Sequence, residues 1–487
     1  MSLPRTLLSV GLAASLMAVP SPRGAAAQPL ATDDDGAYRG YLAVRLRDSG
    51  ELEVIEAYNA DQLFVPASVL KVVTVATVLH HLGADYRWLT RLTADRPVSG
   101  GVLDGDLVIE PGGDPTWGEE FYDAGADEPL AALAQQLRAR GLTRVTGDLV
   151  VDAGRFPGRP HPVDRGFGDL PYRFGTPTAG LAVNEATTTV RVAPGAAVGQ
   201  PARVTPPAGV DVINQTITVG RERRGAGTLD FVPVWGTDTL VLRGEYPINE
   251  PPFVVAASDP APELRAARRL REAFTSAGIT LAGDVRLGSR AAVPGDRDSM
   301  IVLAELHSRP LGDLLERVLT DSHNWYADML TLTLANEVAG SGRFDDGVEV
   351  ISDFVSEVRG DASVDDARGR RSVSITDGSG LSSSNLVTPR TLVQVLARAL
   401  QQPWGQILVD ALAKSGKGTL AAWPPLPATA AKTGILRHTV ALAGVIHTGS
   451  QTPVFFCYFV NHHLRGPAEA RRQIASAVHR WRAAGEP

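Results

Sequence analysis

The sequence predicts a multi-domain α+β protein. A discontinuous domain made from both ends of the chain is interrupted by an inserted α/β subdomain, which itself carries a small all-β module. Three observations lead there. At 487 residues the chain is longer than one hydrophobic core sustains. An unbroken apolar segment after Pro66 and three strand-like segments near the C-terminus each leave a face that the other could cover. Two similar pieces, TRVTGDLVVDAG and ITLAGDVRLG, bracket a stretch of alternating polarity rich in Pro and Gly, as expected where one module is inserted into another. The boundaries so read are 28–96 and 301–487 for the outer domain, 97–188 and 252–300 for the inserted one, and 189–251 for the β-rich module.

In chain order, residues 1–27 have an early cation (Arg5), an apolar stretch from Leu7 to Pro20 and the small-residue run Ala25-Ala26-Ala27. This is the layout of an export signal cleaved near Ala27, and its apolar part is too short to span a bilayer comfortably. YLAVRLRDSGELEVIEAYNAD reads as two strands around Asp48-Ser49-Gly50. The next run, VLKVVTVATVL, is rich in valine and so favours a strand by propensity, but its length without a turn signal favours a buried helix. GDLVIEPGGDP, EPLAALAQQLRARGL and TGDLVVDAG follow as strand, helix and strand. TTVRVAP, ARVTPP, DVINQTITV and TLVLRGEYP form the β-rich module, and DPAPELRAARRLREAFTSAGI returns to helix. PLGDLLERVL and WYADMLTLTLANEV are helical by periodicity. ATAAKTG, HTVALAGVIHT and TPVFFCYFVNH read as three antiparallel strands. They precede a helix whose Ile474, Val478 and Trp481 share the face expected to pack on the sheet.

The formal net charge of −7 argues against a general nucleic-acid binder. The single cysteine, Cys457, excludes an internal disulfide and a cysteine-based metal cluster and reads as a small core residue. His80-His81 and His462-His463 lack the i,i+4 spacing of a helical metal site. No metal or other cofactor is implied.

Three short patterns occur in order: Ser68-Val69-Leu70-Lys71, Ser322-His323-Asn324 and Lys432-Thr433-Gly434. They match the S-x-x-K, S-D-N and K-T-G set of penicillin-binding proteins and serine β-lactamases. Singly, each has an ordinary explanation as a helix cap, an interhelical turn or a strand end. Jointly they describe one chemistry. A helix, unlike a strand, puts Ser68 and Lys71 on one face, and an apolar setting together with a second cation, Lys432, lowers the lysine pKa until it can act as base. Ser322 and Asn324 could relay a proton and hold a substrate amide. A strand edge carrying Lys432 could pair with an extended peptide while its charge attracts a carboxylate, with Gly434 permitting close approach.

Over nearly the whole chain beyond the leader, the sequence resembles the penicillin-binding D-alanyl-D-alanine carboxypeptidase/endopeptidase family of the class C low-molecular-mass type, peptidase family S13. The resemblance is carried by PASVLKVVT around Ser68, GDP at 113–115, DSHNWYADML around Ser322, TDGSGLSSSNLVTP from Thr376, GKGTL from Gly416 and AKTGILRHTVALAG around Lys432. The first two motifs lie more than 250 positions apart, as in this family, where two further domains are inserted between them. The resemblance implies a serine β-lactamase/transpeptidase-like domain, an antiparallel sheet flanked by helices with a helical subdomain. It implies Ser68 as acylated nucleophile, Lys71 as its base, Ser322 and Asn324 as the second motif, and Lys432, Thr433, Gly434 and Ile435 along the substrate strand. Backbone N–H groups of Ser68 and of a residue just after Gly434 would form the oxyanion hole. Peptidoglycan stem peptides would be the substrate, β-lactam antibiotics covalent inhibitors, and the cell envelope the setting, with peripheral association. Asp377 to Ser382 then reads as a turn bordering the cleft. His323 stands where Asp is usual, Ile435 where a hydroxyl residue is common, and Trp423 where Arg is frequent. A β-lactamase or D-amino-acid esterase on the same fold, and a catalytically weakened cell-wall-binding homologue, are the alternatives.

Overall fold

The computed structural model describes residues 36–47, 50–206, 209–220, 229–234, 237–288, 300–360, 373–448 and 452–485. The 1–27 leader and residues 48–49 of the first turn lie outside them. The segment with two possible readings is helical: a 3-10 turn over Ala67–Leu70 runs directly into an α-helix over Lys71–His81. Strand propensity varies by about 1 kcal/mol, whereas burying one valine side chain contributes about 1.5–3 kcal/mol. Val69, Val72, Val73, Val75 and Val78 are all fully buried, so tertiary packing outweighs the local preference.

The 3-10 turn that begins this helix, together with the Pro389–Ala399 helix, packs against a six-stranded antiparallel sheet drawn from both ends of the chain. Its order is Ala413–Lys414, Thr429–Leu436, Thr439–Ile446, Val454–Asn461, Tyr38–Leu46 and Leu52–Tyr58. Alternation along the fourth strand shows why both faces are covered. Phe455, Cys457 and Phe459 face a core shared with the Lys71–His81, Asn324–Glu337, Phe344–Arg359 and Pro389–Ala399 helices. Phe456, Tyr458 and Val460 face the other way, against Ile474, Val478 and Trp481 of the C-terminal Pro467–Gly485 helix. The order leaves an opening: Ala413–Lys414 pairs only with Ala431 and Ala430, so from Lys432 onward the outer edge of the Thr429–Leu436 strand has no partner strand among the described residues.

Between the two ends lies a five-stranded sheet in the order Val285–Gly288, Leu149–Asp152, Leu107–Glu110, Leu89–Ala94 and Ile301–His307. The two similar pieces pair in parallel, Arg144 opposite Thr280 and Leu149 opposite Val285, and their own hydrophobic cluster takes in the Asp127–Ala139 and Pro262–Ser276 helices. This sheet uses Leu89–Ala94 and Ile301–His307, which the sequence reading gave to the outer domain. Their partners are about 200 positions apart in the chain, and no local signal encodes such pairing. Likewise Thr187–Ala193 pairs with Phe253–Ser258, carrying the β-rich part past residue 251. From the inserted region Ala179, Ala182 and Ala186 reach back into the outer core, so the segment before the β-rich part touches the helix that carries Asn324.

Candidate active site

Ser68 is presented by a tightly constrained turn. Ala67 just before it has a left-handed backbone, φ 49°, rare for a residue with a Cβ. Two glycines hold this turn from opposite sides. A Cβ on Gly380 would lie 2.0 Å from the Ala67 carbonyl oxygen, and one on Gly434 would lie 2.6 Å from the Pro66 carbonyl oxygen. The strand bearing Lys432-Thr433-Gly434 thus runs in contact with the turn bearing the serine, and only glycine allows that approach.

Lys71, one helical turn on, is fully buried. Its Nζ donates to Asn324 Oδ1 at 2.7 Å and to the Ser379 carbonyl at 2.6 Å, and lies 2.9 Å from Ser68 Oγ. Two of these neighbours can only accept, while the hydroxyl can also donate. A neutral amine therefore spends both hydrogens on Asn324 and Ser379 and turns its lone pair toward Ser68. The electrostatics favour that form: burial pushes the Lys71 ammonium down to about 7, with Arg165 acting the same way against the opposing pull of Asp328 and Asp377. For Lys432, also fully buried, burial and then Lys71 push the pKa well below the usual lysine range. Its Nζ donates to the Thr433 carbonyl at 2.9 Å.

The second motif is supported from the inserted region. Asn324 opens the Asn324–Glu337 helix, and its Nδ2 donates to the Phe174 carbonyl at 3.2 Å. Ser322 has φ 66°, and its hydroxyl has no partner among the described residues. His323 turns away from Lys71, its Nε2 3.0 Å from Glu185 Oε2. The same carboxylate accepts from Tyr326 Oη at 2.8 Å and from Arg173 Nε at 2.6 Å. Burial would push Glu185 up, but His323, Arg173 and Tyr326 outweigh it and hold the carboxyl at about 2. Glu185 sits in three successive left-handed residues, Asn184 to Ala186, a conformation that persists only where its surroundings enforce it. The histidine thus supports the loop through Glu185, a partner that no sequence signal marks.

Sequence reasoning also missed the charged layer below Lys71. Asp377 organises its own turn, accepting from Gly380 N at 2.7 Å, Ser382 N at 2.9 Å and Asn385 Nδ2 at 2.8 Å. The turn does border the site, and it also aims the Ser379 carbonyl at Lys71. Asp328, one turn after Asn324, pairs with Arg165. A carboxylate at i+4 on the Asn324 face was a usable signal; a lone arginine in a Pro- and Gly-rich loop was not. Ile435 is 43% exposed at the rim. Trp423 packs under Arg471 of the C-terminal helix, and Asp114 of the GDP piece is buried, accepting from Thr116 N and Oγ1 at 2.8 and 2.7 Å.

The sequence profile of the D-Ala-D-Ala carboxypeptidase 3 (S13) family matches residues 28–484. The chain is 31% identical over 466 residues to a D-alanyl-D-alanine carboxypeptidase of Actinomadura sp. strain R39, covering 91% of this chain and 81% of that protein. The fold is similar to that of penicillin binding protein 4 (dacB) from Haemophilus influenzae, with a TM-score of 0.76 at 24% identity, covering 92% of this chain and 96% of that one. The same Haemophilus protein complexed with a β-lactam gives a TM-score of 0.73 at 23% identity over the same shares.

Proposed function

The chain belongs to the D-Ala-D-Ala carboxypeptidase 3 (S13) family, and we propose that it cleaves D-Ala-D-Ala or cross-linking D-amino-acid bonds of peptidoglycan stem peptides through an acyl-enzyme on Ser68. One observation carries the reading: Lys71 Nζ lies 2.9 Å from Ser68 Oγ with both of its other neighbours restricted to accepting. Neutral Lys71 takes the Ser68 proton as Oγ attacks the scissile carbonyl carbon. The oxyanion is held by the backbone N–H groups of Ser68 and Ile435. Collapse breaks the C–N bond, and the proton passes to the departing D-alanine nitrogen, with the Ser322 hydroxyl as relay. Water then attacks the ester, releasing the shortened peptide as a carboxylate and returning the proton to Ser68.

The unpaired edge beyond Lys432 suits an extended peptide, which would add as a further strand. A substrate carboxylate beside Lys432 would favour its charged form against the burial that lowers its pKa, with Thr433 beside it. Ile435 offers that carboxylate no hydroxyl. β-Lactams would acylate the same serine, as suits a chain whose fold is that of a penicillin-binding protein. The division into outer, inserted α/β and β-rich domains is supported by their separate hydrophobic clusters. Export with peripheral envelope association is supported by the leader and by the family's cell-wall substrate; no helix among the described residues is long and apolar enough to cross a membrane.

The test is covalent trapping. Wild-type protein incubated with labelled penicillin should gain one adduct that maps to the Ser68 peptide, and Ser68→Ala should gain none. A Ser68→Ala protein that still forms the adduct would sink the assignment. Rapid loss of the wild-type adduct would mark a β-lactamase instead.

A further inference from the structure

Arg165 sits in the irregular segment that follows Leu149–Asp152, its backbone N–H donating to Pro162 O at 3.1 Å. Its neighbours Asp164 and Gly166 are exposed, yet its side chain is only 2% exposed. The guanidinium reaches under the catalytic lysine, pairs with Asp328, and comes within 3.8 Å of Asp377. The arrangement is incompletely satisfied, because Arg165 Nε and Nη1 and Asp328 Oδ1 are buried with no hydrogen-bond partner. A buried ion pair seldom stabilises more than well-packed apolar side chains would, and unpaired buried donors add a penalty. Stability alone therefore does not account for an arginine here.

What the position does supply is charge. The groups facing Lys71 are Asp328 from the Asn324 helix, Asp377 from its turn and Lys432 from the substrate strand, with Arg165 beneath. Asp169 and His161 flank Arg165, and Asp321 faces Lys432. Asp377 is one residue removed from Lys71, since the Ser379 carbonyl accepts from Nζ at 2.6 Å and the Ser379 hydroxyl donates to Asp377 Oδ2 at 3.1 Å, and Asp328 lies one helical turn from Asn324, which also accepts from Nζ. Two ionised carboxylates there favour the Lys71 ammonium, which cannot take the Ser68 proton. We propose that Arg165 is a positioning residue for the reaction: it occupies the Asp328 and Asp377 carboxylates, so that Lys71 is free to be the neutral base. The assignment rests on the reading of Ser68 and Lys71 given above. The direction of each influence agrees with it, since burial and Arg165 lower the Lys71 pKa while Asp328 and Asp377 raise it.

The experiment is the pH dependence of Ser68 acylation by a chromogenic β-lactam, for wild type, Arg165→Met, Arg165→Lys and Asp328→Asn. In Arg165→Met the acid limb should move up by about one pH unit or more, about a fivefold loss at the wild-type midpoint and about tenfold well below it, with the rate recovering at alkaline pH. Arg165→Lys, which keeps the charge, should return the limb toward wild type. Asp328→Asn should move it down. A uniform loss at every pH in Arg165→Met overturns the assignment, since that is what a packing role alone produces. If Arg165→Met does not fold, Asp328→Asn decides: a downward shift supports the assignment and an unmoved limb overturns it. Mass spectrometry of the wild-type adduct separates the two levels. A label away from Ser68 defeats the acyl-enzyme reading itself, whereas a label on Ser68 with unmoved limbs defeats only the role of Arg165.

Discussion

Lys71→Met should lower the rate of Ser68 acylation by about 10²- to 10⁴-fold, the range contributed by a positioned general base, while leaving the protein folded. Methionine fills the same space without the amine. It strips Asn324 Oδ1 and the Ser379 carbonyl of their donor, at a cost of about 1–3 kcal/mol for each group left unpaired, which the removal of a desolvated amine partly offsets. Rate and stability effects therefore separate, and stopped-flow acylation beside thermal unfolding distinguishes them. The wild-type rate should also depend on pH with a definite sign. In the proposed mechanism Lys71 acts as base only when neutral, so with its pKa pushed down to about 7 the rate falls as pH drops through that value and levels above it. Lys71→Met should lack this limb.

Gly380→Ala should lose acylation for a different reason. Gly380 has φ +76°, and a Cβ there would lie 2.0 Å from Ala67 O and 3.2 Å from Ser68 N. No rotamer relieves a contact with backbone, so the turn that presents Ser68 must move by about 1 Å, a displacement that can cost about 10²-fold in rate. Left-handed strain adds about 1–3 kcal/mol to the loss of stability. Gly83→Ala is the control, because Gly83 has φ +77° with nothing within 4 Å of its Cβ position. It should show the strain alone, destabilising by about 1 kcal/mol with acylation intact. Equal acylation rates in the two variants would mean that the contact with Ala67 does not govern the serine.

These residues show which features could be read from the sequence and which could not. The Ser68–Lys71 helix was legible because the length of the apolar run without a turn signal outweighed the strand propensity of its valines, and the pairing of TRVTGDLVVDAG with ITLAGDVRLG because similar pieces tend to pack alike. The open edge at Lys432 follows from a two-residue strand that no periodicity marks. Leu89–Ala94 and Ile301–His307 read as outer-domain segments because strand pairing across some 200 residues leaves no local trace. Glu185 and Arg165 were hidden for a related reason. Each is an ordinary charged residue in a loop, and its meaning comes only from the partner it meets: His323 for one, Asp328 for the other. The substitution of His for Asp in the second motif was visible in the sequence, but the carboxylate that accommodates it was not.

The most direct measurement is rapid-quench turnover of a stem pentapeptide ending in D-Ala-D-Ala, with free D-alanine and the mass of the Ser68 peptide followed together. The account predicts that D-alanine is released in step with a Ser68-bound tetrapeptidyl ester, and that neither appears in Ser68→Ala. Release of D-alanine with no ester on Ser68, or persisting after the serine is removed, would contradict it.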